Sequence, residues 1–167
     1  LGAGLSASSL IRYLLENSVS HKWQVRVVDR DIDLVKSKIN DHINGVSLSF
    51  NVLNADDRRP EIESADIVIS MLPARFHLDV AKDCIDLKTN LITPSYISPE
   101  MKALDQAAKN AGIIIMNEIG VDPGLDHMSA IKIIDEIKSK GGKVTSFKSF
   151  CGGLIAPESD NNPWNYD

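Results

Sequence analysis

Gly2-Ala3-Gly4-Leu5-Ser6-Ala7, near the start of the 167-residue chain, fits the pattern G-x-G-x-x-G/A of a turn between a strand and a helix. In that pattern the first glycine permits a tight turn, the second lets the backbone approach a pyrophosphate, and the final alanine lets the helix pack closely on the sheet. The first N–H groups of the helix and its partial positive charge suit phosphate oxygens. The stretch predicts a dinucleotide-binding turn, but glycines in an ordinary turn before a packed helix fit the same letters.

Asp29 supplies the second half of this pattern. It ends the next predicted strand, which starts at Val25, about 20 positions after the turn, where an acid that binds ribose hydroxyls is expected. A carboxylate there repels a 2′-phosphate and favours NAD, whereas the adjacent Arg30 favours NADP. We therefore expect NAD or NADP as the cofactor, with NAD favoured by Asp29. A solvated turn is the alternative interpretation of these two residues.

Apolar residues along the rest of the chain alternate between short continuous runs and helical spacing. Runs such as Ile67 to Ile69 and Ile113 to Met116 are apolar throughout, which is typical of parallel strands covered by helices on both faces. Helical segments follow the runs, and Ser98-Pro99 and Gly112 are a helix start and a helix stop. A last strand is predicted over Val144 to Phe150. The alternation predicts an α/β fold, a doubly wound parallel sheet of the Rossmann-like dinucleotide-binding kind.

The composition excludes several classes of protein. The chain carries 18 basic and 23 acidic side chains and has no basic run, so we expect no nucleic-acid partner and no membrane partner. No apolar run approaches the ~20 residues that span a bilayer. The two cysteines, Cys84 and Cys151, have no metal-ligand spacing, so we expect no metal site and a cytoplasmic location.

Four further motifs follow one another in the chain. They are Ile67 to Pro73 with Phe76-His77, Pro94 to Pro99, Met116 to His127, and Ser149 to Glu158. In this order and spacing the chain resembles the saccharopine dehydrogenase family, specifically its glutamate-forming members, and the match covers nearly the whole sequence. The resemblance implies an oxidoreductase of lysine metabolism that acts on a CH–NH group. Saccharopine, NAD(P) and water would give glutamate, 2-aminoadipate 6-semialdehyde and NAD(P)H.

The resemblance also implies how the protein is divided. In this family a second domain is inserted near position 150, supplies much of the substrate site, and is where a homodimer would form. We therefore expect residues 1–150 to be the dinucleotide-binding domain and residues 151–167 to begin the crossing into a domain that is not part of this sequence. A glycine turn should also follow a buried strand of about five residues, so the first strand is expected to be truncated to Leu1.

Site residues follow from the glycine turn and from the resemblance, position by position. The expected cofactor contacts are Gly2, Ala3, Gly4, Leu5, Ser6, Asp29, Arg30, Asp31, Asn51, Val52, Leu72, Ser95, Val121, Asp122 and Pro123. The expected contacts with an amino-acid substrate are Ser95, Tyr96 and Asp122. Fungal members carry Cys-Arg-Thr where this chain has Asp29-Arg30-Asp31, and the extra carboxylates disfavour a 2′-phosphate.

Three titratable residues are candidates for catalysis. Asp122 could be a general base or hold an ammonium group, Tyr96 could donate a hydrogen bond, and Cys151 could carry a proton. Each also has a structural interpretation: a helix cap, a half-buried loop tyrosine and a small buried residue. His77 follows Phe76 near a strand end and could approach the nicotinamide, but we expect it to lie near solvent at a helix start. Arg75 is the one basic residue near a strand end without another role, so the main carboxylate contacts are expected in the other domain.

Two other functions remain open from the sequence. A non-catalytic nucleotide-sensing domain would need only the glycine turn and Asp29. It would have no use for Tyr96 and Asp122 at the nicotinamide end, which favours an enzyme. The other possibility keeps the enzyme class and changes the amine substrate, as in the related carboxynorspermidine and homospermidine enzymes.

Overall fold

The computed structural model describes residues 1–152, with a boundary between two compact units after Gly124. Helices and strands alternate along the first unit. In chain order they are α1 (Ser8–His21), β1 (Val25–Asp29), α2 (Ile32–Ile39), β2 (Gly45–Ser49), α3 (Ala55–Glu63), β3 (Ile67–Ile69), α4 (His77–Leu87), β4 (Asn90–Ile92), α5 (Pro99–Lys102), α6 (Asp105–Ala111) and β5 (Ile115–Met116). Short 3-10 helices, Leu5–Ala7 and Ala74–Phe76, precede α1 and α4.

Within residues 1–152, every strand pair is parallel, as the continuous apolar runs predicted. β1 pairs with β2 to form one sheet, and β3, β4 and β5 form a second sheet in that order. Parallel neighbours need helical crossovers, which explains the regular alternation of helix and strand. The structure therefore confirms the predicted α/β fold.

Leu1 and Gly2 lie between the two sheets and are hydrogen-bonded to both. The Gly2 N–H donates to the Val28 carbonyl at 2.9 Å, and the Met71 N–H donates to the Leu1 carbonyl at 2.8 Å. The Leu1 amino group donates to the Ile69 carbonyl at 2.7 Å. The glycine turn therefore starts at the centre of the strand array, with β1 on one side and β3 on the other.

Two apolar clusters hold the first unit together, one against each sheet. The cluster of the β1–β2 sheet consists of Ala3, Ala7, Ile11, Leu15, Val25, Val27, Val35 and Ile39. The cluster of the β3–β5 sheet consists of Ile62, Val68, Val80, Ala81, Cys84, Leu91, Met101, Ala108 and Ile113. Together the clusters hold the ends of the strands at fixed positions, and those ends carry the candidate site.

The second unit begins at Leu125 with α7 (Leu125–Ser139). Gly141 follows the helix with a positive φ of 78°, which glycine adopts without a steric cost. The strand predicted over Val144 to Phe150 is wrong for the structure, because residues 143–150 are neither helix nor strand. Residues that favour strands, such as Val144, Thr145 and Phe147, form a strand only when another strand pairs with them. None of the helices within residues 1–152 combines the length and the apolar character that a membrane span requires.

Candidate functional site

The two glycines of the turn are needed for different reasons. Gly2 has a φ of 91°, and a Cβ at this position would lie 3.0 Å from the Met71 carbonyl oxygen. Gly4 has an ordinary φ of −60°, and a Cβ there would meet no atom within 4 Å. The fold itself requires Gly2, whereas Gly4 borders open space that a ligand can occupy.

The start of α1 offers hydrogen-bond donors towards this space. Neither Gly4 nor Ala7, the residues before the 3-10 helix and before α1, provides a side-chain cap, and Leu5 is 94% exposed. Ala3 and Ala7 are buried, so they fix the turn against the sheet. Uncapped N–H groups at a helix start bind anions well. The turn therefore fits a dinucleotide pyrophosphate.

Asp29, at the end of β1, lies against the turn. Its Oδ2 accepts from the Ala3 N–H at 2.8 Å and its Oδ1 accepts from the Asp31 N–H at 3.3 Å. Arg30 Nη2 donates to Asn51 Oδ1 at 2.6 Å, so these predicted residues lie next to one another. The Asp31 side chain caps α2 by accepting from the N–H groups of its first turn.

Lys38 is a neighbour of the turn that sequence reasoning missed. Its Nζ donates to the Gly4 carbonyl at 2.6 Å and to Ser8 Oγ at 2.8 Å. The lysine comes from α2, far along the sequence, and a single lysine in a helix carries no signal of this contact. It places a positive charge beside the turn and ties α2 to it.

A chain of hydrogen bonds crosses the ends of β3 and β4 through His77. The His77 Nδ1 lies 2.9 Å from Ser70 Oγ, and its Nε2 lies 2.8 Å from Ser95 Oγ. His77 is 2% exposed, so the expectation that it lies near solvent is wrong. The first residue of α4 faces inward here because two hydroxyl groups hold its ring. Burial lowers the pKa of His77 below its ordinary value, which favours the neutral imidazole.

Tyr96 and Asp122 are brought together from two loops. The Tyr96 hydroxyl donates to Asp122 Oδ1 at 2.7 Å. Glu118 joins the same loops, because its N–H donates to the Ser95 carbonyl at 3.0 Å and its Oε1 accepts from the Ile97 N–H at 3.1 Å. Tyr96 is 66% exposed and so is not the half-buried loop residue of the structural interpretation. The pair presents a phenol and a carboxylate to solvent, beyond the ends of β4 and β5.

The remaining predicted residues differ in their exposure. Leu72 is partly buried, Val52 and Pro123 are buried, and Val121 is 73% exposed. Cys151 belongs to the second unit, where it is exposed, so the interpretation of a small buried residue is wrong. Its proposed role as a proton carrier stays a prediction.

Comparisons with known proteins match this chain along its whole length. The family model for the saccharopine dehydrogenase NADP binding domain matches residues 1–116, and that for the saccharopine dehydrogenase C-terminal domain matches residues 120–167. Saccharopine dehydrogenase [NADP(+), L-glutamate-forming] of Pyricularia oryzae is 44% identical over 99% of this chain and 36% of its own length. The mitochondrial alpha-aminoadipic semialdehyde synthase of Rattus norvegicus is 51% identical over 99% of this chain and 18% of its own length.

A solved structure agrees with these relatives. Apo saccharopine dehydrogenase (L-Glu forming) from Saccharomyces cerevisiae superposes with a TM-score of 0.80 at 39% identity, covering 99% of this chain and 36% of that one. An NAD binding oxidoreductase from Klebsiella pneumoniae, at 14% identity and a TM-score of 0.56, shares the fold alone. The chain thus spans about a third of the fungal proteins that it matches, and it belongs to the saccharopine dehydrogenase family.

Proposed function

We propose that the whole protein is an NAD(P)-dependent saccharopine dehydrogenase that forms glutamate. Saccharopine would be oxidised at the carbon bearing its secondary amine, and water would then release glutamate and 2-aminoadipate 6-semialdehyde. One observation carries this proposal: the glycine turn, the Ser70–His77–Ser95 chain and the Tyr96–Asp122 pair all lie at the carboxyl ends of parallel strands. Ligands of open parallel sheets bind at this edge.

The residues of the first unit would hold the cofactor along this edge. When bound, the nicotinamide cofactor supplies the hydride acceptor, so the protein has to bind, orient and manage protons. The turn and the start of α1 would hold the pyrophosphate, Asp29 and Asn51 the ribose and adenine end, and Ser95 the nicotinamide end. The remaining proposed contacts are Ala3, Leu5, Ser6, Arg30, Asp31, Val52, Leu72, Val121, Asp122 and Pro123.

Asp122 and Tyr96 are the proposed acid–base groups. The hydroxyl of Tyr96 holds one carboxylate oxygen of Asp122, which leaves the other oxygen to take a proton from the amine or from water. Ser95 would be oriented by the neutral His77 ring, so its hydroxyl would meet substrate and cofactor in a fixed direction. Cys151 is the third proposed group, as a proton carrier.

We propose NAD as the preferred cofactor. Asp29 and Asp31 put two carboxylates near the ribose end, where they would repel a dianionic 2′-phosphate. The guanidinium of Arg30 already donates to Asn51 with two of its nitrogens. The name of the Pyricularia oryzae relative states NADP(+) for that protein. A higher kcat/KM with NADP than with NAD would contradict this preference and assign Arg30 to the 2′-phosphate.

The proposed activity is tested by saccharopine-dependent reduction of NAD and NADP with the full-length protein. Tyr96→Phe and Asp122→Asn should each lower kcat by about 100-fold, because general acid–base groups contribute at least this much. Tyr13→Phe, at an exposed tyrosine of α1, is the matched control and should leave kcat unchanged. Absence of reduction with either nucleotide, together with turnover of another secondary amine, would overturn the assignment.

A homodimer and a cytoplasmic location complete the proposal. The resemblance to this family supports the homodimer. The cytoplasmic location rests on cysteine usage, because Cys84 and Cys151 have neither disulfide-scaffold nor metal-ligand spacing and suit a reducing compartment. The mildly acidic composition, with a pI near 5.3, favours neither nucleic acid nor an anionic membrane as a partner. Light scattering during size-exclusion chromatography of the full-length protein should give twice the mass of the chain. The mass of a single chain at every concentration would contradict the dimer.

A further inference from the structure

A cleft of about 280 Å³ opens in the first unit beside α4 and α5. Polar and charged side chains line part of it, and apolar side chains line the rest. The polar members include Arg75, Tyr96, Glu100 and Asn117, and the apolar members include Leu78 and Met101. The cleft therefore contains one cation, one anion and an apolar surface, and it adjoins the Tyr96–Asp122 pair.

The two charges of the cleft do not neutralise one another. Within residues 1–152, neither Arg75 nor Glu100 has an ion-pair partner within 4.0 Å, and both are exposed. Opposite charges that line one cleft without touching leave room for a ligand between them. Such a ligand satisfies both when it carries an anion and a cation close together.

Each charge is also held in place by its neighbours. The guanidinium carbon of Arg75 lies 4.6 Å from the centre of the Phe76 ring, a cation–π contact that limits the movement of the side chain. The Glu100 carboxylate accepts hydrogen bonds from its own N–H and from the Ser98 hydroxyl, which lower the pKa of Glu100. Glu100 is therefore ionised at neutral pH, and the cleft keeps both charges.

We propose that this cleft binds the α-amino-acid head group of the substrate, with Arg75 on the carboxylate and Glu100 on the ammonium group. Leu78 and Met101 would then lie along the methylene chain behind the head group. The inference rests on the proposed function, in which the semialdehyde half of saccharopine carries such a head group at the far end of a methylene chain from the reacting carbon. A simple carboxylate would be repelled by Glu100 and a simple amine by Arg75, so the pair selects a zwitterion.

The test measures binding of three probes to the full-length protein in the presence of saturating dinucleotide. The probes are 2-aminohexanoate, which carries both charges, hexanoate, which lacks the ammonium group, and pentylamine, which lacks the carboxylate. We expect 2-aminohexanoate to bind about 10-fold more tightly than either of the others, since hydrogen bonds to charged groups are worth this factor or more. Equal affinity for all three probes would overturn the proposal.

Two substitutions assign the selectivity to the two residues. Arg75→Met should lower the affinity for 2-aminohexanoate about 10-fold, to that of pentylamine, and Glu100→Gln should lower it to that of hexanoate. Asp79→Asn and Lys102→Met remove exposed charges of α4 and α5 and are the matched controls, with no change expected. Arg75→Met and Glu100→Gln should both bind the dinucleotide as the wild type does, because neither Arg75 nor Glu100 is buried. Unchanged 2-aminohexanoate affinity in both variants would overturn the proposal.

Saccharopine turnover in the same preparations separates this inference from the proposed function. With saccharopine as substrate, both variants should raise KM about 10-fold and leave kcat within a factor of about three. Turnover with an unchanged KM would remove the cleft proposal and leave the proposed function standing. Charge-dependent binding of 2-aminohexanoate without turnover of saccharopine would keep the cleft as an amino-acid site and remove saccharopine as the substrate.

Discussion

The β1–β2 half and the β3–β5 half of the first unit place their polar groups differently. In the β1–β2 half the buried side chains are apolar apart from Ser18. The groups at the candidate pyrophosphate site are backbone N–H groups, with Lys38 Nζ beside them. The β3–β5 half, counted from α3 onwards, buries several polar and charged side chains. These are Arg58, Ser70, His77, Asp83, Thr89 and Thr93.

This difference follows from what each half has to hold. A pyrophosphate is a large anion that backbone N–H groups and a helix start can bind, so small residues and open space are sufficient. Orienting a reacting group needs side chains in one fixed direction, and buried hydrogen bonds supply it. Ser95 shows this, since its hydroxyl is held by His77, which is held in turn by Ser70.

Removing a buried charge should lower the free energy of unfolding more than any other change predicted here. Of the two halves, only the β3–β5 half has buried charged side chains. Arg58 Nε donates to Asp83 Oδ2 at 2.8 Å, and both side chains are buried. Asp83→Ala should lower the free energy of unfolding by about 3–5 kcal/mol, because it leaves the guanidinium buried without its partner. Equilibrium urea unfolding measures this change. The control, Asp86→Ala at an exposed acid, should cost less than about 1 kcal/mol, and an equal cost for both variants would contradict the account.

Alanine substitution at the two glycines sharpens the comparison within the β1–β2 half. Gly2→Ala should lower the free energy of unfolding by about 2 kcal/mol, because an alanine at a φ of 91° is strained and its Cβ crowds the Met71 carbonyl. Gly4→Ala should change it by less than about 0.5 kcal/mol, since its Cβ meets no protein atom. Urea unfolding of both variants tests the role of Gly2 in the fold, and NADH titration of both tests the role of Gly4 beside the pyrophosphate. Unimpaired NADH binding by Gly4→Ala would contradict the assignment of this space to the pyrophosphate.

Acidification should lower the free energy of unfolding through His77, which is buried in the β3–β5 half. Burial lowers the folded-state pKa of His77 below its ordinary value of 6.5, so the unfolded chain binds the proton more tightly. The contribution of the neutral His77 ring to the free energy of unfolding is complete above pH 6.5. It is lost as the pH falls through 6.5 towards the folded-state pKa. Urea unfolding at pH 7.5, 6.5 and 5.5 measures the loss. The free energy of unfolding should fall less steeply with pH in His77→Gln than in the wild type. An equal pH dependence in both proteins would exclude His77 as its source.

Features that depend on neighbours in the chain could be predicted from the sequence. The glycine turn, the parallel strands and Asp29 all followed from short patterns and fixed spacings, and the structure places Asp29 against Ala3. The buried position of His77 could not be predicted, since Ser70 and Ser95 come from the ends of two different strands. The contact of Lys38 with Gly4 depends on how α2 packs. The run from Val144 to Phe150 has residues that favour strands, but it forms a strand only if another strand lies beside it in space, which the local sequence does not determine.

The account is tested most directly by titrating the full-length protein with NADH and with NADPH, in the presence and absence of saccharopine, alongside Asp29→Ala. The account predicts that NADH binds more tightly than NADPH, that saccharopine changes this affinity, and that Asp29→Ala weakens NADH binding about 10-fold, as the loss of a charge-assisted hydrogen bond does. Dinucleotide binding that responds neither to Asp29→Ala nor to saccharopine would contradict the assignment of this sheet edge to cofactor and substrate.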